Sequence, residues 1–458
     1  MNLADRLRGV MNPGGSAAPG TTGSPDPPHV PSVRRPGLAE GTIQPSADPA
    51  SILDGEWCER DGQRFLVIDR RYAPGHRHGH CTVVDSAPDD DGCWPALSIL
   101  EPSLASGRAS GRLLFLDLET TGLAGGAGTY AFLVGCGWFE RGGFRVRQYL
   151  LTAFGAERAL LQDVARLASE ACGLGTYNGK TFDLPLMETR FLFHRMGAPL
   201  AGMPHVDMLH PARRLWKDSG TWGGSGEPRV PGAADPPGSS CRLTTLERTL
   251  LGHEREGDVP GFEIPGRYFN FVRTGDARPL AGVLEHNRLD ILSLALVTAR
   301  LAHLLTDGAS AVRTGREALG LGRIFDRAGM AEAASPCYDA AVLGGEDVET
   351  VGEALRALAV ALRRARRYDE AAGAWRRMLD LCPCPPALAR DAADALAVHH
   401  EHRARELGTA RRFALESLSL TTTHSRIEAA RHRLARIDRK LGVAAQAPAD
   451  VPGAAPLF

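Results

Sequence analysis

The chain has 458 residues, too many for one ordinary core, so two or three domains are expected. Apolar content of 43% and charged content of 23% are those of a globular protein, and no apolar run approaches the roughly 18 residues of a membrane helix. A formal charge of −1 excludes a long-range pull of the whole molecule on a polyanion, so a nucleic-acid substrate would need a local basic surface or bound metal.

Residues 1–50 are rich in Pro, Gly and Ser and read as a disordered tail. Short strand-like pieces such as Arg64 to Asp69 and Cys81 to Val84 then suggest a small β-rich lead-in over 51–110. Leu113-Leu-Phe-Leu-Asp117 is a continuous apolar run, expected to be a central buried strand. Two more strands, Tyr130–Phe139 and Phe144–Leu151, are joined by a glycine turn. A helix from Ala156 to Ala171, a strand ending at Tyr177-Asn178 and a helix from Leu184 to Met196 complete an α/β pattern with a mixed sheet. The Gly/Pro/Ser stretch Lys217–Ser240 reads as a long insertion. Helical pattern resumes at Leu243–Leu251 and at Pro279–Leu305. Residues 314–440 read as an all-α domain with the offsets of tetratricopeptide hairpins, and 441–458 as a loose tail.

The chemistry sits on three short segments. Asp117 and Glu119 are two apart at the end of the buried strand, so both carboxylates leave the same face. Asp183 follows the turn Asn178-Gly-Lys-Thr-Phe at the start of a helix that Pro185 helps open. His286 and Asp290, four apart, share one face of a late helix. Four carboxylates from one strand, one helix start and one helix suit hard divalent cations with oxygen ligands. A pair of such ions can drive an in-line phosphodiester displacement. Other signals carry less. His76-Arg-His-Gly-His80 reads as a solvated turn, Asp207 as a helix cap, and the nine scattered cysteines as reduced thiols of a cytoplasmic protein. The amino terminus has no apolar stretch of a secretory signal.

Phe115-Leu-Asp-Leu-Glu-Thr-Thr-Gly-Leu123, Gly128 to Gly135, Tyr177 to Pro185 and His286 to Leu294 together resemble the DEDD exonuclease branch of the ribonuclease H-like fold. Within it they look like the YprB-type domain often joined to tetratricopeptide repeats, over residues 111–306. The resemblance implies a ribonuclease H-like mixed sheet flanked by helices, and two Mg²⁺ or Mn²⁺ ions held by Asp117, Glu119, Asp183 and Asp290. Asp117 would bridge the ions, Glu119 and Asp290 would complete the nucleophile-side ion, and Asp183 would hold the other. His286 takes the place of the residue that orients or deprotonates water, although here a His stands at the spacing usual for Tyr. Thr120, Gly122, Leu123 and Asn178 are expected to face the substrate, with Gly122 and Leu123 at a terminal nucleotide. The implied activity is 3′→5′ exonuclease cleavage of DNA or RNA at a single-stranded end, with a protein partner on the repeats and no membrane. An inactive, nuclease-like scaffold acting through the repeats is the alternative.

Overall fold

A computed structural model describes residues 48–89, 92–106, 111–122, 128–217, 241–345 and 347–442. Leu123 lies outside these residues, as do almost all of the expected amino-terminal tail, the Lys217–Ser240 insertion and the carboxy-terminal tail.

Strands β1 (Glu56–Arg60), β2 (Gln63–Tyr72), β5 (Arg112–Thr120), β6 (Ala131–Glu140), β7 (Gly143–Leu150), β8 (Ala171–Thr176) and β9 (His205–Asp207) form one sheet. Its order is β1-β2-β7-β6-β5-β8-β9, with β3 (Arg77–His78) and β4 (Cys81–Thr82) as a separate hairpin. The β1 to β5 half is antiparallel, whereas β8 and β9 run parallel to β5. The strands of the lead-in therefore continue the sheet, since β2 pairs with β7 from Leu66–Leu150 to Tyr72–Phe144. The strand expected to end at Tyr177-Asn178 stops at Thr176, because Asn178 turns into the left-handed region at φ 67°.

Parity along β5 decides what each face carries. Leu114, Leu116 and Leu118 enter one core, under helices α1 (Glu157–Ser169), α2 (Asp183–Phe193) and α4 (Ile264–Thr274). Leu113 and Phe115 enter the other, under α5 (Ala281–Asp307). Asp117 and Glu119 continue the second row, so they leave the sheet on the α5 side.

Helix α5 crosses β5, β6 and β7 at close range. Two glycines of β6 permit this: a Cβ on Gly135 would stand 2.2 Å from Asn287 Oδ1, and one on Gly137 would stand 2.3 Å from Ile291 Cγ2. The helical stretch Arg278–Ala311 is long and apolar enough to cross a membrane, which the sequence reading did not expect. Scattered polar positions interrupt its apolar run without lowering its average. Of its most apolar window 72% is buried inside the fold, the signature of a core helix.

Short α3 (Leu209–Leu215) links the sheet to the helical half, α6 (Gly315–Arg327), α7 (Ala331–Leu343), α8 (Val348–Arg364), α9 (Tyr368–Leu379), α10 (Pro386–His402), α11 (Leu407–Ser419) and α12 (His424–Leu441). Each of these helices packs on the next. A Cβ on Gly320 of α6 would meet Arg214 O at 2.3 Å, and Trp216 Nε1 donates to Glu317 Oε1 at 2.8 Å. One apolar core runs from Phe115 on the sheet through Ala318 and Leu358 to Ile437. The two halves thus share buried surface.

Candidate active site

The four acids arrive at one place by different local rules. Strand β5 delivers Asp117 and Glu119, and a register shift between Glu119 and Thr120 breaks the ladder there. The chain is then turned by Thr120 Oγ1 donating to Gly122 O at 3.1 Å and by reciprocal bonds between Thr121 and Tyr130.

Asp183 depends on the turn after β8. Gly179 is required in it, since a Cβ would stand 2.5 Å from Thr176 Oγ1. Asp207 accepts from the backbone N–H groups of Asn178 (2.8 Å), Lys180 (3.0 Å) and Leu209 (3.1 Å). The N-cap of α3 is Met208 and not Asp207 as expected; Asp207 stands one position earlier, still receives the first helical N–H, and braces the loop that presents Asp183.

Helix α5 supplies Asp290 and His286, together with a residue the motif reading passed over. Asn287 is fully buried and donates through Nδ2 to Asp117 Oδ2 at 2.8 Å and to Asp117 O at 3.3 Å. Its own Oδ1 accepts from Gln148 Nε2 at 2.8 Å. Burial of a polar residue beside a strand-end acid was the available signal, but Gln148 lies 139 positions away and nothing local pairs the two.

Charge repulsion marks the meeting of the acids. Asp117 is pushed well above the usual carboxylate range by burial, then by Asp290, Glu119 and Asp183, against the bond from Asn287. Glu119 rises to about 8 through burial and then Asp290, Asp183 and Asp258. Asp183 rises to about 7, mainly by burial, with Asp207 adding to it. Asp290 is raised by burial against the opposing pull of Arg255 and His286. No three oxygens of the four acids lie within 4.8 Å of one another among the described residues. Asp290 Oδ1 is instead drawn to Arg255 Nη2 at 2.5 Å.

Around Asp290 lie groups that no spacing foretold. Arg255 is almost buried and also binds Glu247 Oε2 at 2.6 Å and Asp258 Oδ2 at 3.3 Å. His286 places Nδ1 2.7 Å from Asp258 Oδ1 and Nε2 3.5 Å from Asp290 Oδ2. Asp258 thus orients the ring so that Nε2 faces the acids. Another correction concerns His78, expected in solvent but only 2% exposed. It contacts Glu247 Oε1 at 3.1 Å and Ser293 Oγ at 2.8 Å, because the hairpin docks on the segment after α3.

Hard oxygen donors of this number, with one cation, Arg255, among them, fit divalent metal ions. This fit has a pH signature. Glu119 and Asp183 hold protons in the fold up to about 8 and about 7, whereas their ordinary values are 4.5 and 3.8. The stability they contribute is full below about pH 4 and is lost as pH rises through 7 to 8. A cation must displace those protons, so its stabilising effect grows over the same interval. Thermal melts should show metal-free Tm falling from about pH 6 to about pH 9, and a larger Mg²⁺-induced rise at the alkaline end. A Mg²⁺ effect equal at both ends would count against the site.

The sequence pattern of the RNase_H superfamily matches residues 114–302, from within β5 to the last turns of the core helix. Over 393 residues the chain is 30% identical to a Bacillus subtilis (strain 168) protein described as "Uncharacterized protein YprB", covering 85% of this chain and 87% of the relative. Such a domain supports a nuclease, a metal-assisted hydrolase of nucleic acid. Identity of this extent, carried through the sheet domain and into the helical half, means that the chain belongs to the YprB family, and its residues 114–302 form an RNase H superfamily domain.

Proposed function

We propose that the protein is a two-metal 3′→5′ exonuclease that shortens DNA or RNA from a single-stranded end, with Asp117, Glu119, Asp183 and Asp290 as metal ligands. The observation that carries this reading is the convergence of four carboxylates in one cleft, where burial raises all of them and repulsion from the others adds to the rise of Asp117 and Glu119. Bound Mg²⁺ or Mn²⁺ ions would supply a hydroxide nucleophile and offset the charge on the attacking and leaving oxygens.

The chain's own groups do the rest. Asn287, held by Gln148, keeps Asp117 aimed into the cleft. With Nδ1–H directed at Asp258, His286 presents Nε2 as the acceptor for the proton of the attacking water. Gly122, with open space where a side chain would stand, lets a terminal nucleotide approach the backbone, and Thr120 and Asn178 flank it. Polarity and the end preference rest on the family resemblance. The helical half is read as tetratricopeptide-like repeats that bind a protein partner.

One observation favours an inactive scaffold: the guanidinium of Arg255 already sits on Asp290. It engages Oδ1 alone, and Oδ2 stays on the His286 side. The deciding experiment incubates 5′-labelled and 3′-labelled single strands of DNA and RNA with Mn²⁺ or Mg²⁺, beside an Asp117→Asn/Glu119→Gln control. A metal-dependent ladder from 5′-labelled strands, with mononucleotide released from 3′-labelled ones, is expected. Absence of any control-sensitive product would leave only the scaffold.

A further inference from the structure

Outside the carboxylate cleft, a second set of ligating side chains meets in the interior. His78 comes from the β3–β4 hairpin and is 2% exposed; Glu247, 1% exposed, opens the π-helical turn Glu247–Leu251, and His253 follows that turn. One ligand atom of each lies within 4.8 Å of the other two. The 3.1 Å between His78 Nε2 and Glu247 Oε1 is near the roughly 3.3 Å that separates neighbouring ligand atoms on a tetrahedral ion with bonds of about 2.0–2.1 Å. His253 lies against the His78 ring, centroids 3.9 Å apart, and its ring nitrogens have no hydrogen-bond partner among the described residues.

The backbone is shaped to bring these groups together. Gly79 and Gly252 both adopt left-handed φ, 62° and 66°. A Cβ on Gly79 would stand 2.0 Å from Leu251 O, and one on Gly252 would stand 2.1 Å from His80 Nε2. His80 N donates to Leu251 O at 2.6 Å across the same crossing. Two segments distant in sequence interlock there only because neither carries a side chain at the contact. A buried hydrogen-bond network explains His78, Ser293 and Glu247, but it leaves His253 without a polar role.

We propose that His78, Glu247 and His253 bind one zinc-class divalent ion, separate from the carboxylate cleft, with the fourth position left to water or the Ser293 hydroxyl. Two imidazoles and one carboxylate select zinc-class ions over Mg²⁺, which prefers all-oxygen surroundings. The second oxygen of Glu247 remains on Arg255 Nε, and Arg255 in turn holds Asp290. The ion therefore braces, through Glu247 and Arg255, the helix face that carries Asp290.

Untagged full-length protein, equilibrated with excess Mg²⁺, tests this by metal analysis with plasma mass spectrometry and by Zn²⁺ titration. About one equivalent of Zn²⁺ should be bound by the native protein and by Asp117→Asn, with at least about tenfold weaker binding in His253→Gln and His78→Ala. Because His253 is half-exposed, its variant keeps the test open if His78→Ala fails to fold. Co²⁺ substitution should give a tetrahedral visible spectrum that His253→Gln abolishes. A folded native protein that binds no Zn²⁺ overturns the proposal. So does one equivalent lost in Asp117→Asn and retained in His253→Gln, which would place the metal among the acids.

Discussion

Asp117→Asn is expected to lower metal-dependent hydrolysis by about 10³-fold while raising the thermal stability of the metal-free protein. The two effects have one cause. Asp117 is half-buried, and burial followed by the charges of Asp290, Glu119 and Asp183 raises its carboxyl well above the usual range. An amide of the same shape is neutral without taking up a proton on folding, and it can still offer its oxygen to Asn287 Nδ2, which now serves Asp117 Oδ2. On the proposed ligand set, loss of one metal ligand costs several kcal/mol of transition-state stabilisation. Initial rates under saturating Mn²⁺ and melts in chelator measure the two halves. A variant both less active and less stable without metal would mean that Asp117 serves the fold and not a cation.

Gly135→Ala should destabilise the protein by about 1–3 kcal/mol and reduce activity more than that loss explains. The added Cβ would meet Asn287 Oδ1 at 2.2 Å and Ile291 Cδ1 at 2.3 Å, both on α5. The helix must lift from β6, and it carries Asp290 and His286 as well as the bond from Asn287 to Asp117. A displacement near 1 Å at reacting groups costs about 10²-fold. Gly137→Ala is the control, since its Cβ meets Ile291 and Phe144 but not Asn287. Comparable destabilisation with a smaller activity loss is expected for it. Denaturant melts and rates taken where both variants are folded separate the effects. Equal activity loss in the two variants would show that general loosening, and not the Asn287 contact, is responsible.

Much of the site is legible in the sequence because its directions are set locally. The period of two on β5 puts Asp117 and Glu119 on one face whatever packs above them, and the four-residue step on α5 aligns His286 with Asp290. The glycine turn and Pro185 place Asp183 at a helix start by the same short-range logic. Motif order then joins the three segments through resemblance.

Other features depend on partners far away in the chain. Asn287 reads as one more helix polar until Gln148 and Asp117 close on it. Arg255 and Asp258 lie in an irregular segment with no period, so only the folded chain shows them holding Asp290 and His286. His78 looks solvated in its charged turn, and interlocking glycines at 79 and 252 are what carry it inside. The strands of the lead-in show alternation but not that β2 would pair with β7 and lengthen the sheet. The sequence by itself determined the four acids, their faces and the order of sheet and helices, since backbone periodicity encodes these within a few residues. The tertiary structure decided which groups orient and neutralise those acids, since charge and hydrogen-bond partners are chosen by distance in space, which local pattern does not carry.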